Sequence, residues 1–420
     1  MVFKRLKWLY PGMLIKRWIF LSVFGILMIS MGFVIAIFER ESDPDSKALA
    51  GLVIIFGILC VILAVKRILK SFMAVLVPGA IKEDDALVDR VYARRILEKG
   101  PKIVVVGGGT GLSTLLTGLK QKTSNLTAIV TVADDGGSSG RLREEFGVLP
   151  PGDIRNCLVA LSDSGDLLRA LFQFRFTEGR GLEGHSFGNL FITALSQVTG
   201  DFTKAIRESS KVLAIKGNVV PATLQIVRLV ARRKDGKETI GECKIRDDAG
   251  SPIDRLSLLP PDCKATKESV EAIRQADCIV LGPGSLYTSV MPNLLIEGIK
   301  AEILKANAIK VYICNVMTEP GETDDYSVSD HVRAIIRHTG EGIVNHCIAN
   351  VSIIPRGLYE KYETENKFPV KLDEKDEGWL AREKIDLVKA HIAGMKEFVR
   401  HDPDKLSDVI MNIVNESRKK

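Results

Sequence analysis

Residues 101–115, PKIVVVGGGTGLSTL, restrict this chain more than any other stretch. Four β-branched residues, Ile103 to Val106, run straight into Gly107-Gly108-Gly109-Thr110-Gly111, and a helical pattern starts at Leu112. An unbroken apolar run suits a strand buried on both faces, as in a parallel sheet. Glycines let the backbone pass close to a ligand because no Cβ intervenes. The helix that follows directs unpaired N–H groups and its positive dipole end at the same place, where a phosphate is the usual occupant. Two familiar phosphate loops do not fit. The dinucleotide fingerprint needs a third glycine where Leu112 stands, and a Walker A loop needs Gly-Lys-Ser/Thr.

Two other stretches define a separate module. Trp18 to Phe38 is a run of 21 residues without a charge, and Ala48 to Val65 is a second of 18. Each is long enough to cross a bilayer as a helix. The first is too long for the apolar core of a cleaved signal, and another span follows at once. Lys4, Arg5, Lys7, Lys16 and Arg17 precede the first run, and Lys66, Arg67 and Lys70 follow the second. The turn Glu39–Lys47 is net acidic. The positive-inside rule then places both ends in the cytoplasm, with Trp8, Tyr10 and Trp18 as interfacial aromatics. The expectation is a two-helix transmembrane hairpin over 1–70 in the cell membrane, a connector over 71–100 and a cytoplasmic main domain. Pro78-Gly79 breaks the connector, and Ala86 to Lys99 is charged and compatible with helix.

Charge and cysteine content agree with that division. The net charge is +6, but residues 1–100 hold 15 Lys/Arg against 9 Asp/Glu, while the remainder holds 43 of each. A neutral main domain argues against a nucleic-acid partner, which needs a basic face. Seven cysteines form no CxxC pair and several lie in apolar runs. They read as reduced core thiols. Six histidines show no ligand spacing, so no zinc site is indicated.

From Pro101 onward strands and helices alternate, the pattern of a doubly wound, mainly parallel α/β sheet. Strands are expected at 126–133, 277–281, 310–314 and 343–349, with helices near 153–163, 165–176, 187–198 and 329–339. Residues 210–258 are Val/Ile-rich segments separated by Lys234-Asp235-Gly236 and Asp248-Ala249-Gly250, which predicts an inserted antiparallel β segment. The charged tail, 356–420, is expected to be helical, near 377–400 and 403–417.

In such sheets ligands bind beyond the carboxyl ends of the strands. Four strand ends carry unusual polar loops, at 107–111, 134–140, 282–289 and 315–326. In the second, Asp134 could accept from a ribose hydroxyl, or Asp134 or Asp135 could hold magnesium through water beside a diphosphate. Ser138 and Ser139 follow as candidate contacts. Asp153 is either a helix N-cap or a ligand. Arg155 has the planar fork that suits phosphate oxygens, and Asn156 stands beside it. His185 reads as an acid/base or as a hydrogen-bonded structural residue. Gly188 and Asn189 suggest close backbone approach or a cap. Gly282 and Gly284 repeat the logic of the first turn, Ser285, Thr288 and Ser289 offer hydroxyls, and Tyr287 either stacks on a base or belongs to the core. Asn315 opens the fourth loop.

The motifs GGGTGLSTLLTGL, TVADDGGSSGRLR, PPGDIRNCLVALSD, GHSFGNL, GPGSLYTSVMPNLL and VYICNVMTEPGETDDYSVSDHV together resemble the YvcK family of gluconeogenesis factors, within the 2-phospho-L-lactate transferase (CofD-like) superfamily. They run in order through 101–355. The resemblance implies a Rossmann-like fold and binding of a UDP-sugar such as UDP-N-acetylglucosamine. It also implies a role in growth on gluconeogenic carbon sources and in cell shape through peptidoglycan synthesis. By motif matching, Gly107 to Gly111 would hold diphosphate, and Asp134 and Asp135 would face ribose or metal. Asn189, Gly284, Ser285 and Tyr287 would line the same crevice. Members of that family are often shorter and cytoplasmic, so the two spans are an addition. The related transferases move a phospholactyl group from a nucleotide diphosphate donor to a deazaflavin precursor with Mg²⁺.

The resulting expectation is a membrane-tethered UDP-sugar-binding regulator with a cell-wall enzyme or kinase as partner, able to form a homo-oligomer. A magnesium-dependent transferase is the alternative. An NAD(P) oxidoreductase is disfavoured by the broken fingerprint.

Overall fold

A computed structural model describes residues 16–38, 44–76, 96–248, 250–395 and 398–418. The basic flank at Lys4, Arg5 and Lys7, the aromatics Trp8 and Tyr10, the acidic turn through Asp43 and most of the connector lie outside the described residues. The chain divides into two units, Met1–Ala93 and Arg94–Lys420.

The first unit is a helical pair, α1 (Lys16–Phe38) and α2 (Pro44–Leu76). Their apolar stretches, Arg17–Ile37 and Lys47–Leu69, are long and apolar enough to cross a membrane. Small residues let the two backbones approach. A Cβ on Gly25 would lie 2.8 Å from the Gly57 carbonyl oxygen, and one on Gly32 would lie 3.0 Å from that of Ala50. Ala50, Cys60 and Ala64 are buried in the same seam, while Phe20, Leu27, Ile37, Leu52 and Leu69 face outward. Close small-residue packing with large apolar side chains outside is how helices associate in lipid. Arg67 sits over the Trp18 ring at 5.3 Å.

The second unit is built on a seven-stranded parallel sheet. Its strands are β1 (Ile103–Gly107), β2 (Leu126–Val130), β3 (Asn218–Pro221), β7 (Cys278–Leu281), β8 (Ile309–Ile313), β9 (His346–Asn350) and β10 (Asp386–Ala390), in the order β10-β9-β8-β7-β1-β2-β3. β1 is an interior strand and wholly apolar, with Ile103, Val105 and Val106 fully buried, because both of its faces are covered. β4 (Arg228–Arg233), β5 (Glu238–Ile240) and β6 (Ile253–Leu259) form a separate antiparallel sheet, β5-β4-β6, within the inserted segment the sequence predicts over 210–258, whose first part instead supplies β3 to the parallel sheet. Without that insertion the order is the doubly wound 3-2-1-4-5-6 arrangement extended by one strand. The chain runs outward from β1 in both directions, so the switch point lies between β1 and β7.

Helices packed around the sheets include α3 (Gly109–Leu119), α4 (Gly137–Phe146), α5 (Gly152–Leu161), α6 (Phe187–Thr199), α7 (Glu242–Asp247), α8 (Val328–Thr339), α9 (Glu374–Arg382) and α10 (Pro403–Ser417), and α3, α5 and α7 reach the crevice. The last is fixed tightly: a Cβ on Gly118 of α3 would lie 2.1 Å from the Pro403 carbonyl oxygen.

The tail departs from the expectation of a helical extension. The helix expected near 377–400 ends at Arg382, Lys384 takes φ +58°, and Asp386–Ala390 adds the seventh strand beside β9. β11 (Ala393–Met395) and β12 (Val399–His401) then form a hairpin before α10. An edge strand needs no continuous apolar run, so five residues inside a charged stretch gave no strand signal.

Candidate functional site

Two glycine-rich turns interlock at the switch point. β1 ends at Gly107, whose carbonyl accepts from Thr131 N at 3.0 Å and Asn293 Nδ2 at 3.2 Å. Asn293 also donates to the Ser289 carbonyl at 2.8 Å, joining the end of β1 to the turn after β7. Gly109 has φ +65°, a conformation that costs other residues about 1 kcal/mol or more. A Cβ on Gly111 would lie 2.6 Å from the Pro283 carbonyl oxygen, so the second turn can nest against the first only over a glycine. The first turn of α3 has no side-chain cap, and the N–H groups of Thr110 and Gly111 have no carbonyl within the helix to bond.

These turns floor a crevice of about 420 Å³. The strand-end loops supply Gly108, Gly109, Thr110, Gly111 and Asp134 on one side, with Asn156 from the first turns of α5. Gly284, Ser285, Thr288 and Asn315 come from the other. All were expected from the sequence, and Asp153, weighed there as a cap or ligand, lines the crevice with them. Two elements that the sequence did not connect with the crevice add residues, Glu242 and Arg246 from α7 and Arg400 and His401 from β12, and the expected loop after β8 adds Met317 and Glu319.

The other expected residues stand behind the wall. Gly107 and Gly282 close their strands. Asp135 is corrected most sharply, because its two carboxylate oxygens accept from Glu242 N and Cys243 N at 3.0 Å each. It caps α7 and does not face the crevice, so it is not the magnesium residue. Ser139 accepts from Gly152 N at 3.1 Å. Ser138 bonds His185 Nδ1 and Asn189 Nδ2, both at 3.0 Å, in a buried cluster. His185 is therefore a structural residue, with its pKa lowered first by burial and then by Arg141. Arg155 bonds Ser186 and, at 2.7 Å, Asn156 Oδ1, so it orients the crevice residue Asn156 from behind. Tyr287 is fully buried with its hydroxyl 2.9 Å from that of Tyr326, which makes it a core residue.

The crevice wall is rich in acids. Asp153 is pushed up to about 6, first by burial and then by Asp134, against the Gly109 N–H and Arg155. Glu242 is held well above its ordinary value by burial, Asp134 and Asp153. Asp134 and Asp153 are two carboxylates that repel each other beside a glycine-rich turn. Magnesium bound by proteins ordinarily takes one or two carboxylates and completes its shell with water and substrate phosphate. This pair fits that pattern. Among the described residues no group of three or more His, Cys, Asp or Glu is arranged to hold a metal. His401 Nε2 lies 3.2 Å from the Cys314 carbonyl, which can only accept. The ring is neutral, pushed down to about 4 by burial, so Nδ1 carries the lone pair.

Glu322 lies beneath the second turn and accepts from Thr288 Oγ1 at 2.9 Å and Tyr287 N at 3.3 Å. Burial pushes it up to about 7, with Glu319 adding to the shift and the Thr288 and Tyr287 bonds opposing it. An acid whose folded pKa exceeds its unfolded value contributes stability that is complete below about 4.5 and lost as pH rises through about 7. Thermal melts from pH 4 to 8 are expected to show the melting temperature falling through that window. Glu322→Gln is expected to flatten the profile, and an equally steep profile in the variant would contradict the assignment.

Comparison with known proteins extends the geometry. A family model described as 2-phospho-L-lactate transferase CofD matches residues 103–393. A Bacillus subtilis protein named gluconeogenesis factor is 47% identical over 317 residues, covering 75% of this chain and 99% of its own. A relative from Nostoc sp. is 46% identical over 422 residues, covering 96% of this chain and 91% of its own. An alignment that long takes in most of the first hundred residues here. A crystal structure of a Bacillus halodurans protein, 48% identical, superposes with a TM-score of 0.72 and covers 74% of this chain and 99% of that one.

Proposed function

The chain belongs to the CofD family and, within it, to the gluconeogenesis factors, and on that footing we propose that it is a regulatory protein that binds a nucleotide diphosphate sugar, a UDP-sugar such as UDP-N-acetylglucosamine, in the crevice between β1 and β7. The observation that carries the reading is the meeting of open main-chain N–H groups at Thr110 and Gly111 with two arginines, Arg246 and Arg400, from elements far apart in sequence. Helix-terminus N–H groups and guanidinium forks are the chemistry that recognises a diphosphate. Asp134 and His401 Nδ1 are acceptors suited to sugar hydroxyls. A thermal-shift panel of nucleotides and nucleotide sugars tests this. UDP-sugars are expected to raise the melting temperature more than NAD does, by mass action. A panel in which NAD shifts the transition most would overturn it.

In this reading α1 and α2 hold the domain at the cytoplasmic face of the cell membrane, beside the synthesis of wall precursors, where a ligand-dependent contact with a wall enzyme or kinase would carry the signal. Carbonate-washed membranes are expected to retain the full chain, and its release into the supernatant would rule out the tether.

The Asp134–Asp153 pair favours one second reading, a magnesium-dependent transfer from a nucleotide-activated donor. Magnesium on these carboxylates would neutralise the leaving diphosphate. The chain's own contribution would be orientation by the two turns and by Arg246 and Arg400. Release of nucleotide over hours from a UDP-sugar with Mg²⁺ would support transfer. Stoichiometric binding without release supports the regulator.

A further inference from the structure

The residue that sequence reasoning placed in the ligand site, Asp135, acts instead at one end of α7. That helix has only six residues and belongs to the inserted segment, yet it carries Glu242 and Arg246 into the crevice. A six-residue helix is too short to hold itself in water. Its ends are held from outside. At the N-terminus the two Asp135 oxygens take the N–H groups of Glu242 and Cys243. Gly241 precedes them with φ +106°, and a Cβ there would lie 2.5 Å from Asp135 Oδ2.

At the C-terminus stands Arg233, 1% exposed. Its Nη2 donates to the carbonyls of Ile245 at 3.0 Å and Asp248 at 2.5 Å. Its Nη1 donates to those of Ser251 at 2.7 Å and Gly321 at 3.1 Å. Asp248 Oδ2 lies 3.4 Å from Nε. Gly321 belongs to the loop that brings Glu319 to the crevice, and a Cβ on it would lie 3.0 Å from the Arg246 carbonyl oxygen. One guanidinium thus joins the helix end to a second wall of the site. The anion is at the N-terminus and the cation at the C-terminus, each opposite the helix dipole.

We propose that Asp135 and Arg233 are positioning residues that clamp α7 at both ends so that Arg246 meets the phosphates of the bound nucleotide sugar. This rests on the UDP-sugar reading above. The insertion is then the specificity element of the domain, and its clamp is anchored in the core loop 134–140.

The test is a double-mutant cycle on the full chain in detergent, with UDP-N-acetylglucosamine as the probe and calorimetry as the readout. Asp135→Asn and Arg246→Ala are each expected to weaken binding about tenfold. The double variant is expected to bind no worse than Arg246→Ala alone, because Asp135 works through Arg246. Losses that multiply to about a hundredfold, or an Asp135→Asn variant that binds like the wild type, would overturn the clamp. Arg233→Met supplies the same cycle independently. Hydrogen exchange on the wild-type chain needs no variant. The ligand is expected to slow exchange at residues 242–247 more than in β4 to β6, and no slowing there would also overturn the clamp. A wild-type chain that does not bind the probe at all fails the UDP-sugar reading rather than the clamp.

Discussion

Arg246→Glu and Arg400→Glu are each expected to weaken binding of UDP-N-acetylglucosamine by about a hundredfold while leaving the melting temperature nearly unchanged. Both side chains are exposed on the rim of the crevice, so neither supports the core. Arg400 rests on the Phe398 ring, 5.1 Å from its centroid, and Arg246 touches Cys243 Sγ at 3.5 Å. A charge-assisted hydrogen bond contributes about 1.5–3 kcal/mol, and reversal adds repulsion to its loss. The wall around them already holds Asp134, Asp153, Glu242 and Glu319, so a diphosphate has few other cations to meet. The effect should shrink as salt rises, because exposed charges are screened. Calorimetric titration at two salt concentrations checks both points. Wild-type affinity in both variants would show that the phosphates lie elsewhere.

Gly111→Val is the second large effect. Its Cβ alone would stand 2.6 Å from the Pro283 carbonyl oxygen, a main-chain atom that cannot swing away. The two turns must separate, which is expected to cost about 1–3 kcal/mol of folding stability and to abolish binding. Gly109→Ala is the milder companion. Its Cβ would meet only Ser289 Oγ at 3.5 Å, and the positive φ costs about 1 kcal/mol. Denaturant melts of both variants check the ranking. A Gly111→Val chain as stable as Gly109→Ala would mean that the turns do not interlock.

The contrast between these glycines shows what the sequence could and could not disclose. The run Ile103–Val106 before glycines, and Cys278–Leu281 before Gly282-Pro283-Gly284, announced two buried parallel strands with close turns. Their neighbourhood in the sheet came only from the structure, which pairs Ile103–Val106 with Cys278–Leu281 in parallel. Asp134 and Asp135 could not be told apart, because adjacent residues differ only in which way the turn aims them. The structure aims the first into the crevice and gives the second to the N–H groups of α7. Arg233 carried no signal either, since a basic residue in a surface-like hairpin ordinarily reads as solvated. Its burial comes from carbonyls supplied by Ile245, Asp248, Ser251 and Gly321, none predictable from local pattern. Arg400 was hidden at the end of a stretch that looked like helix, and His401 in the short gap before the next. The one available cue was Asp402-Pro403, which caps α10 and leaves the residues before it outside that helix.

The most direct test of the central claim is a crystal structure of the complex with UDP-N-acetylglucosamine. The claim predicts the diphosphate against the N–H groups of Thr110 and Gly111, with Ser285 beside it and Arg246 and Arg400 closing over it. A ligand seated away from the β1 and β7 turns, for example among Arg141, Arg175 and Arg180 at the mouth of α4, would contradict it.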